Sequence, residues 1–136
     1  MDKVVWIQAT TQLNKAYPTD AGFDLVAAQT VSFMPNETKL VPVATRVCIP
    51  NGYWGLIVPR SSWRKRGLVI QAVIDANYVG PLDVVTTWVA PQESEPLVIE
   101  EGVRFAQLVI IPLPYVIACI SCLLYTSDAA DERSSV

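Results

Sequence analysis

Apolar residues along this chain recur in short β-branched runs cut by proline, glycine and asparagine. The three-to-four-residue spacing of an amphipathic helix is almost absent. Residues 4–7, 22–26, 39–43, 46–49, 53–58, 69–74, 82–87, 97–99 and 105–111 read as strands. Turn residues separate them at Pro35-Asn36, Pro50-Asn51-Gly52, Gly80-Pro81, Pro91 and Glu101-Gly102. Many short strands at near-regular spacing predict an all-β sandwich or barrel with very little helix. Arg64-Lys65-Arg66-Gly67 is expected to cap a short helical turn near the middle of the chain, and no internal repeat is present. The longest apolar stretch, 108–120, is interrupted by Pro112 and Pro114. It is short of the roughly 20 residues a membrane-spanning helix needs, so no membrane partner is expected.

Composition narrows the class. A chain of 136 residues with 51% hydrophobic and 17% charged positions is a single folded domain, not a disordered chain. We place that domain at residues 1–118. Histidine is absent, which excludes histidine triads, histidine general bases and histidine metal ligands. Three cysteines are too few for a disulfide scaffold, and Cys48, within an apolar run, is expected in the core. A net charge of −3 argues against a nonspecific nucleic-acid binder. The N-terminus shows no apolar run with a cleavage site, so a cytoplasmic (or, for a phage protein, host-cytoplasmic) setting is expected. Four tryptophans and many Val and Ile exceed what one small barrel covers and point to a subunit interface. Residues 119–136 differ in character. They are mostly polar beyond Leu124, resemble a translated sequencing adapter, and are expected to be a non-native or disordered tail. The pair Cys119 and Cys122 within it is weak support for metal or redox chemistry.

The glycines at 22, 52, 55, 67, 80 and 102 permit neither a G-x-G-x-x-G turn nor a Walker A loop. Any phosphate must be held otherwise. Arg60, Arg64, Lys65 and Arg66 surround Ser61 and Ser62. Guanidinium forks beside short hydroxyls suit a phosphate, although a solvated charged loop has the same composition. Asp24 and Asp75 sit among apolar residues, where a carboxylate needs a partner. Two readings stay open for them: a salt bridge to an arginine such as Arg60 or Arg104, or a metal ligand and a general base at a phosphate site.

Four segments carry a resemblance. Pro18-Thr19-Asp20-Ala21-Gly22-Phe23-Asp24-Leu25 resembles the first motif of the trimeric deoxyuridine triphosphatases (dUTPases), and Pro59-Arg60-Ser61-Ser62 the second. Ala72-Val73-Ile74-Asp75-Ala76-Asn77-Tyr78-Val79-Gly80 resembles the third, and Gly102-Val103-Arg104-Phe105-Ala106-Gln107-Leu108-Val109 the fourth. Their order and spacing are similar to the family's. The resemblance implies a jelly-roll-like β-barrel (β-clip) forming a homotrimer with shared active sites. It implies hydrolysis of dUTP to dUMP and pyrophosphate with Mg2+. Asp75 would then orient and deprotonate the attacking water and touch the sugar 3′-hydroxyl. Tyr78 would pack on the deoxyribose and exclude a 2′-hydroxyl. Arg60, Ser61, the Ser62 backbone and Gln107 would hold phosphates, with Ser61 near the bridging oxygen of the scissile link. Asp24 would hold magnesium through water, and backbone groups from Val69 to Val73 would pair with uracil.

The chain departs from the family pattern at several positions. Val103 stands where the family has an acid between Gly and Arg, Asn77 and Val79 flank Tyr78, and Ala72 replaces a common glycine. Thr86-Thr87-Trp88-Val89 lacks a common asparagine, and no glycine follows Gly102, so the Gly-rich fifth motif is expected to be truncated away. Two related readings are a non-catalytic nucleotide-binding module of the same fold and a dCTP deaminase. The deaminase should carry a glutamate about where Val85 stands, and no Glu lies between Glu37 and Glu93.

Overall fold

The structure, a computed structural model, describes residues 3–120. The expected tail from 121 onward, with Cys122, lies outside the described residues. The elements in order are β1 (Gln8–Ala9), β2 (Gly22–Val26), β3 (Val31–Phe33), β4 (Thr38–Pro42), β5 (Val47–Cys48), β6 (Tyr53–Pro59), α1 (Ser61–Arg64), β7 (Leu68–Ile70), β8 (Ala72–Ile74), β9 (Asp83–Trp88), β10 (Leu97–Ile99) and β11 (Arg104–Pro112). They form a four-stranded sheet ordered β2-β11-β6-β8, a three-stranded sheet β4-β9-β7, and the pairs β1-β5 and β3-β10. All the ladders are antiparallel. This is the expected all-β, jelly-roll-like β-clip architecture, assembled from small sheets without one continuous closed ladder.

Strand alternation builds the core. In β9, Val84, Thr86 and Trp88 point inward while Asp83 and Val85 face out. Buried Thr86 satisfies its hydroxyl on the Val84 carbonyl at 3.0 Å. β11 sends Phe105 and Leu108 against Leu25 of β2 and Ile57 of β6, all without solvent exposure. Truncating Phe105 would cost about 3–5 kcal/mol, since the cavity cannot collapse among so many neighbouring strands.

Several expectations change. Residues 4–7 are not a strand; Val4 and Trp6 are exposed, and the pairing begins at β1. The three-residue β3 was not predicted, yet its Val31 and Phe33 are core residues. The run 69–74 is two strands, because the chain breaks at Gln71: β7 joins β9 while β8 joins β6. One expectation holds: a four-residue helical turn lies at Ser61–Arg64, without a side-chain N-cap bond, and residues 64–67 close it, with the Lys65 N–H donating to the Ser61 carbonyl. Gly67 ends that turn at φ +98, where a β-carbon would also collide with the Val89 carbonyl. Cys48 is half-buried on β5, not in the core.

Candidate functional site

Three adjacent strands converge on one polar cavity of about 210 Å³, lined by Asp20, Gly22, Asp24, Arg60, Ser61 and Gln107, with Ala16 and Ala21. β2 supplies Asp24, and the β2–β11 register sets Gln107 directly opposite it. β6 flanks β11 on its other side and ends at Pro59, so Arg60 and Ser61 emerge at the same rim. The Arg60 N–H donates to the Phe105 carbonyl at 3.1 Å, which fixes the exit of the chain. Gln107 Nε2 donates to the Pro59 carbonyl at 3.3 Å. Gly22 makes room for this side chain: a β-carbon there would lie 2.8 Å from Gln107 Oε1 and 3.0 Å from its Cβ.

Asp24 is the electrostatic centre of this cavity. Its side chain is 11% exposed, with Oδ1 3.1 Å from Arg60 Nε and Oδ2 3.8 Å from Arg104 Nη1. The arginine pairing foreseen as one reading of Asp24 is therefore present. Oδ2 is buried and accepts no hydrogen bond. A buried carboxylate oxygen without a donor is an uncommon and costly arrangement. It is a hard donor with coordination capacity to spare. Among the described residues no group of three or more Asp, Glu, Cys or His could hold a metal ion. The orphaned Asp24 oxygen is compatible with a magnesium ion that would take most of its ligands from phosphates and water and meet Asp24 through a water.

A second cavity, about 300 Å³, opens at the far end of β8. Ile57, Ala72, Leu82 and Val84 give it apolar walls, and Asp75, Tyr78 and Asp83 stand around it. Asp75 follows the last residue of β8 and is exposed, which corrects the expectation of a carboxylate inside an apolar strand. It begins a tight turn in which the Tyr78 N–H donates to the Asp75 carbonyl at 3.3 Å. Asn77 holds the left-handed corner at φ 66, a conformation that asparagine tolerates better than most residues. Its N–H donates to the Ile49 carbonyl at 2.8 Å, and its side-chain amide donates to Asn51 Oδ1 at 2.7 Å. The departure at 77 is therefore compatible with the turn. Val103 is likewise accommodated, half-buried against the core.

The predicted residues separate into two groups. Asp24, Arg60, Ser61 and Gln107 meet in the polar cavity, and Val73, Asp75 and Tyr78 meet in the apolar one. Ser62 and Val69 line neither. Val69 belongs to β7 and pairs with Thr87. β8, the terminal strand of its sheet, leaves one row of backbone groups beside Val73 without a ladder partner. Asp20 and Asp83 were not singled out from sequence. Asp20 lies within the Pro18–Leu25 segment, and its half-buried carboxylate accepts the Tyr17 N–H at 3.0 Å. Asp83, between Leu82 and Val84 in the expected strand 82–87, carries the same apolar-flank signal as Asp24 and Asp75, and it stands exposed at the start of β9.

The two cavities share no residue. Ile74, just before Asp75, pairs with Gly55 near the start of β6, whereas Arg60 follows its end. Gly55 and Arg60 are five residues apart, so at about 3.3 Å per residue their anchors stand roughly 17 Å apart along the strand.

Comparison with known proteins matches the dUTPase family model to residues 8–131. The deoxyuridine 5′-triphosphate nucleotidohydrolase of Leifsonia xyli subsp. xyli is 39% identical over 102 residues, covering 72% of this chain and 66% of that protein. The chain thus spans just under two thirds of that curated relative. A mutant dUTPase of Staphylococcus bacteriophage 80alpha with dUpNHpp is 27% identical, with a TM-score of 0.76 over 85% of this chain and 88% of that one. A mutant dUTPase from phage phi11 of S. aureus, described with a structural Mg(II) ion, is 28% identical, with a TM-score of 0.73 over 85% of this chain and 97% of that one. With four sequence motifs, an antiparallel β architecture and a family match over most of its length, the chain belongs to the dUTPase family.

Proposed function

We propose that this chain hydrolyses dUTP to dUMP and pyrophosphate, in a homotrimer whose active sites are shared between subunits. The observation that carries the reading is the division of the motif residues between two cavities, each chemically incomplete alone. The polar cavity offers a guanidinium, a serine hydroxyl and a carboxamide to phosphates. The apolar cavity offers a carboxylate, an aromatic ring and an open strand edge to a deoxynucleoside. Juxtaposing the first cavity of one protomer with the second of another supplies the full set.

In this mechanism Asp75 accepts a proton from a water aligned on the α-phosphorus. The new bond joins water oxygen to that phosphorus, the α–β anhydride bond breaks, and pyrophosphate leaves. Arg60, Ser61 and Gln107 hold the phosphates in line, with the Ser62 backbone as a further donor. Asp24 orients Arg60 through their ion pair and would hold magnesium through water. When bound, magnesium neutralises charge on the phosphate oxygens. Tyr78 covers the sugar, and the free edge near Val73 pairs with uracil, a pattern that cytosine's amino group would mismatch. Val85 lies on the exposed face of β9 and offers no carboxylate, which disfavours a deaminase.

The test is pyrophosphate release from dUTP, dTTP, dCTP and UTP, with magnesium and with EDTA. Magnesium-dependent release from dUTP alone is expected, falling about 10²–10⁴-fold in Asp75→Asn. Tight dUTP binding without release would favour the non-catalytic module instead. Neither binding nor release would overturn both.

A further inference from the structure

Tyr78 is 42% exposed at the mouth of the apolar cavity, yet its ring is pinned. Its hydroxyl donates to the Pro81 carbonyl at 2.7 Å, so its proton is spent within its own turn. The ring lies against Gly80. A β-carbon at position 80 would collide with the Tyr78 hydroxyl oxygen, 2.7 Å from Cζ and 3.0 Å from Cε1. Gly80 is not in the left-handed region, so the demand there is for space and not for an unusual backbone. At the other end of the turn, Asn77 is braced on Ile49 and Asn51. With the turn braced at Asn77 and the clash falling on the outer end of the Tyr78 side chain, extra volume at 80 is relieved most readily by moving the ring, at the cost of its bond to Pro81.

We infer that Gly80 is a positioning residue that seats the Tyr78 ring across the cavity mouth and thereby sets discrimination at the sugar 2′-position. The inference rests on the dUTP reading for its substrate and on the Gly80–Tyr78–Pro81 packing for its geometry. A methyl group at 80 tilts the ring outward and widens the mouth, admitting a ribose hydroxyl that the native seat excludes. Tyr78→Phe removes the atom nearest the new methyl but leaves Cζ and Cε1 close. The double variant should therefore recover only part of the loss.

The experiment labels the chain with 3-fluorotyrosine, whose five tyrosines give five 19F lines, and assigns Tyr78 by its absence in Tyr78→Phe. The same samples are assayed with dUTP and UTP. In Gly80→Ala the Tyr78 line should move while the others keep their positions, which also reports that the fold persists. The dUTP-over-UTP ratio of kcat/KM should fall about tenfold or more, chiefly through KM. Tyr78→Phe alone should lower the ratio less, and the double variant should lose less than the two changes combined. An unmoved Tyr78 line overturns the seat. A moved line with an unchanged ratio overturns the specificity role. A wild-type protein that does not distinguish dUTP from UTP overturns the dUTP reading and the specificity role with it, and a moved line then supports the seat alone.

Discussion

If Asp75 of one protomer serves the phosphate cavity of another, two inactive variants should restore each other. The variants are Asp75→Asn and Ser61→Ala, co-expressed with different tags. Ser61 is preferred to Arg60 because it is exposed, whereas Arg60 also neutralises the largely buried Asp24. Removing that guanidinium would add a stability loss to any catalytic one. The roughly 17 Å between the two anchors along β6 is what makes the partners separable. In a randomly mixed homotrimer, a site is intact when one protomer brings a native Asp75 and its neighbour a native Ser61, so about a quarter of the sites recover. Were both residues used from one chain, recovery would be nil. A second mixture sharpens the contrast: wild type with the Ser61→Ala/Asp75→Asn double variant. Shared sites again leave about a quarter intact, but single-chain sites leave about half. Pyrophosphate release per trimer from dUTP, after tandem tag purification and correction for tag selection, reads the fraction. Background activity of the single variants, each down about 10²-fold or more, stays well below a quarter. Nil recovery in the first mixture with half in the second would refute the shared site.

Two further outcomes follow from named contacts. Gly22→Ala drives a methyl group into Gln107 and to within 3.1 Å of the Leu108 carbonyl. Overpacking outweighs the reduced entropy of the unfolded chain, for a net loss of about 1–2 kcal/mol in urea melts and weakened phosphate binding; an unchanged midpoint would show that β11 gives way without cost. Glu37 concerns pH. The Met34 N–H that it accepts at 2.9 Å holds its carboxyl below the usual range, Lys39 adds to this, and burial opposes it. A lowered folded value means stabilisation that is present above the ordinary carboxylate range and lost as pH falls through the folded value. The stability gap between wild type and Glu37→Gln should therefore narrow between neutral pH and about pH 3; a constant gap would refute it.

Strand existence was legible where apolar alternation met a turn residue. Residues 22–26 and 97–99 coincide with β2 and β10, and most other boundaries shift by a residue. The misses have physical causes. Residues 4–7 form a continuous apolar run like that of a buried strand, but no strand among the described residues pairs with them, and Val4 and Trp6 stay exposed while Val5 and Ile7 are half-buried. Val31-Ser32-Phe33 is too short to show a period, and its identity comes from pairing with β10, which lies far along the sequence. The apolar run 69–74 shows no breaker at Gln71, so its division between two sheets is a tertiary effect.

The candidate site divides along the same line. That Asp24 needed a partner followed from a carboxylate among apolar neighbours, and Arg60 and Arg104 were both foreseen. The same logic failed for Asp75, because the strand stops at Ile74 and the turn lifts the next residue into solvent. Motif spacing orders residues along the chain but says nothing of the distance between them. That distance is set by register: Gln107 opposite Asp24 brings one group together, and Ile74 opposite Gly55 carries the other to the far end of β6. Under the proposed shared site, oligomerisation would serve the chemistry as well as the surplus apolar surface. Val73, Tyr78 and Val79, all exposed, surround the Asp75 turn. A partner seated on that face would bury them in the same step that brings a phosphate cavity to the carboxylate.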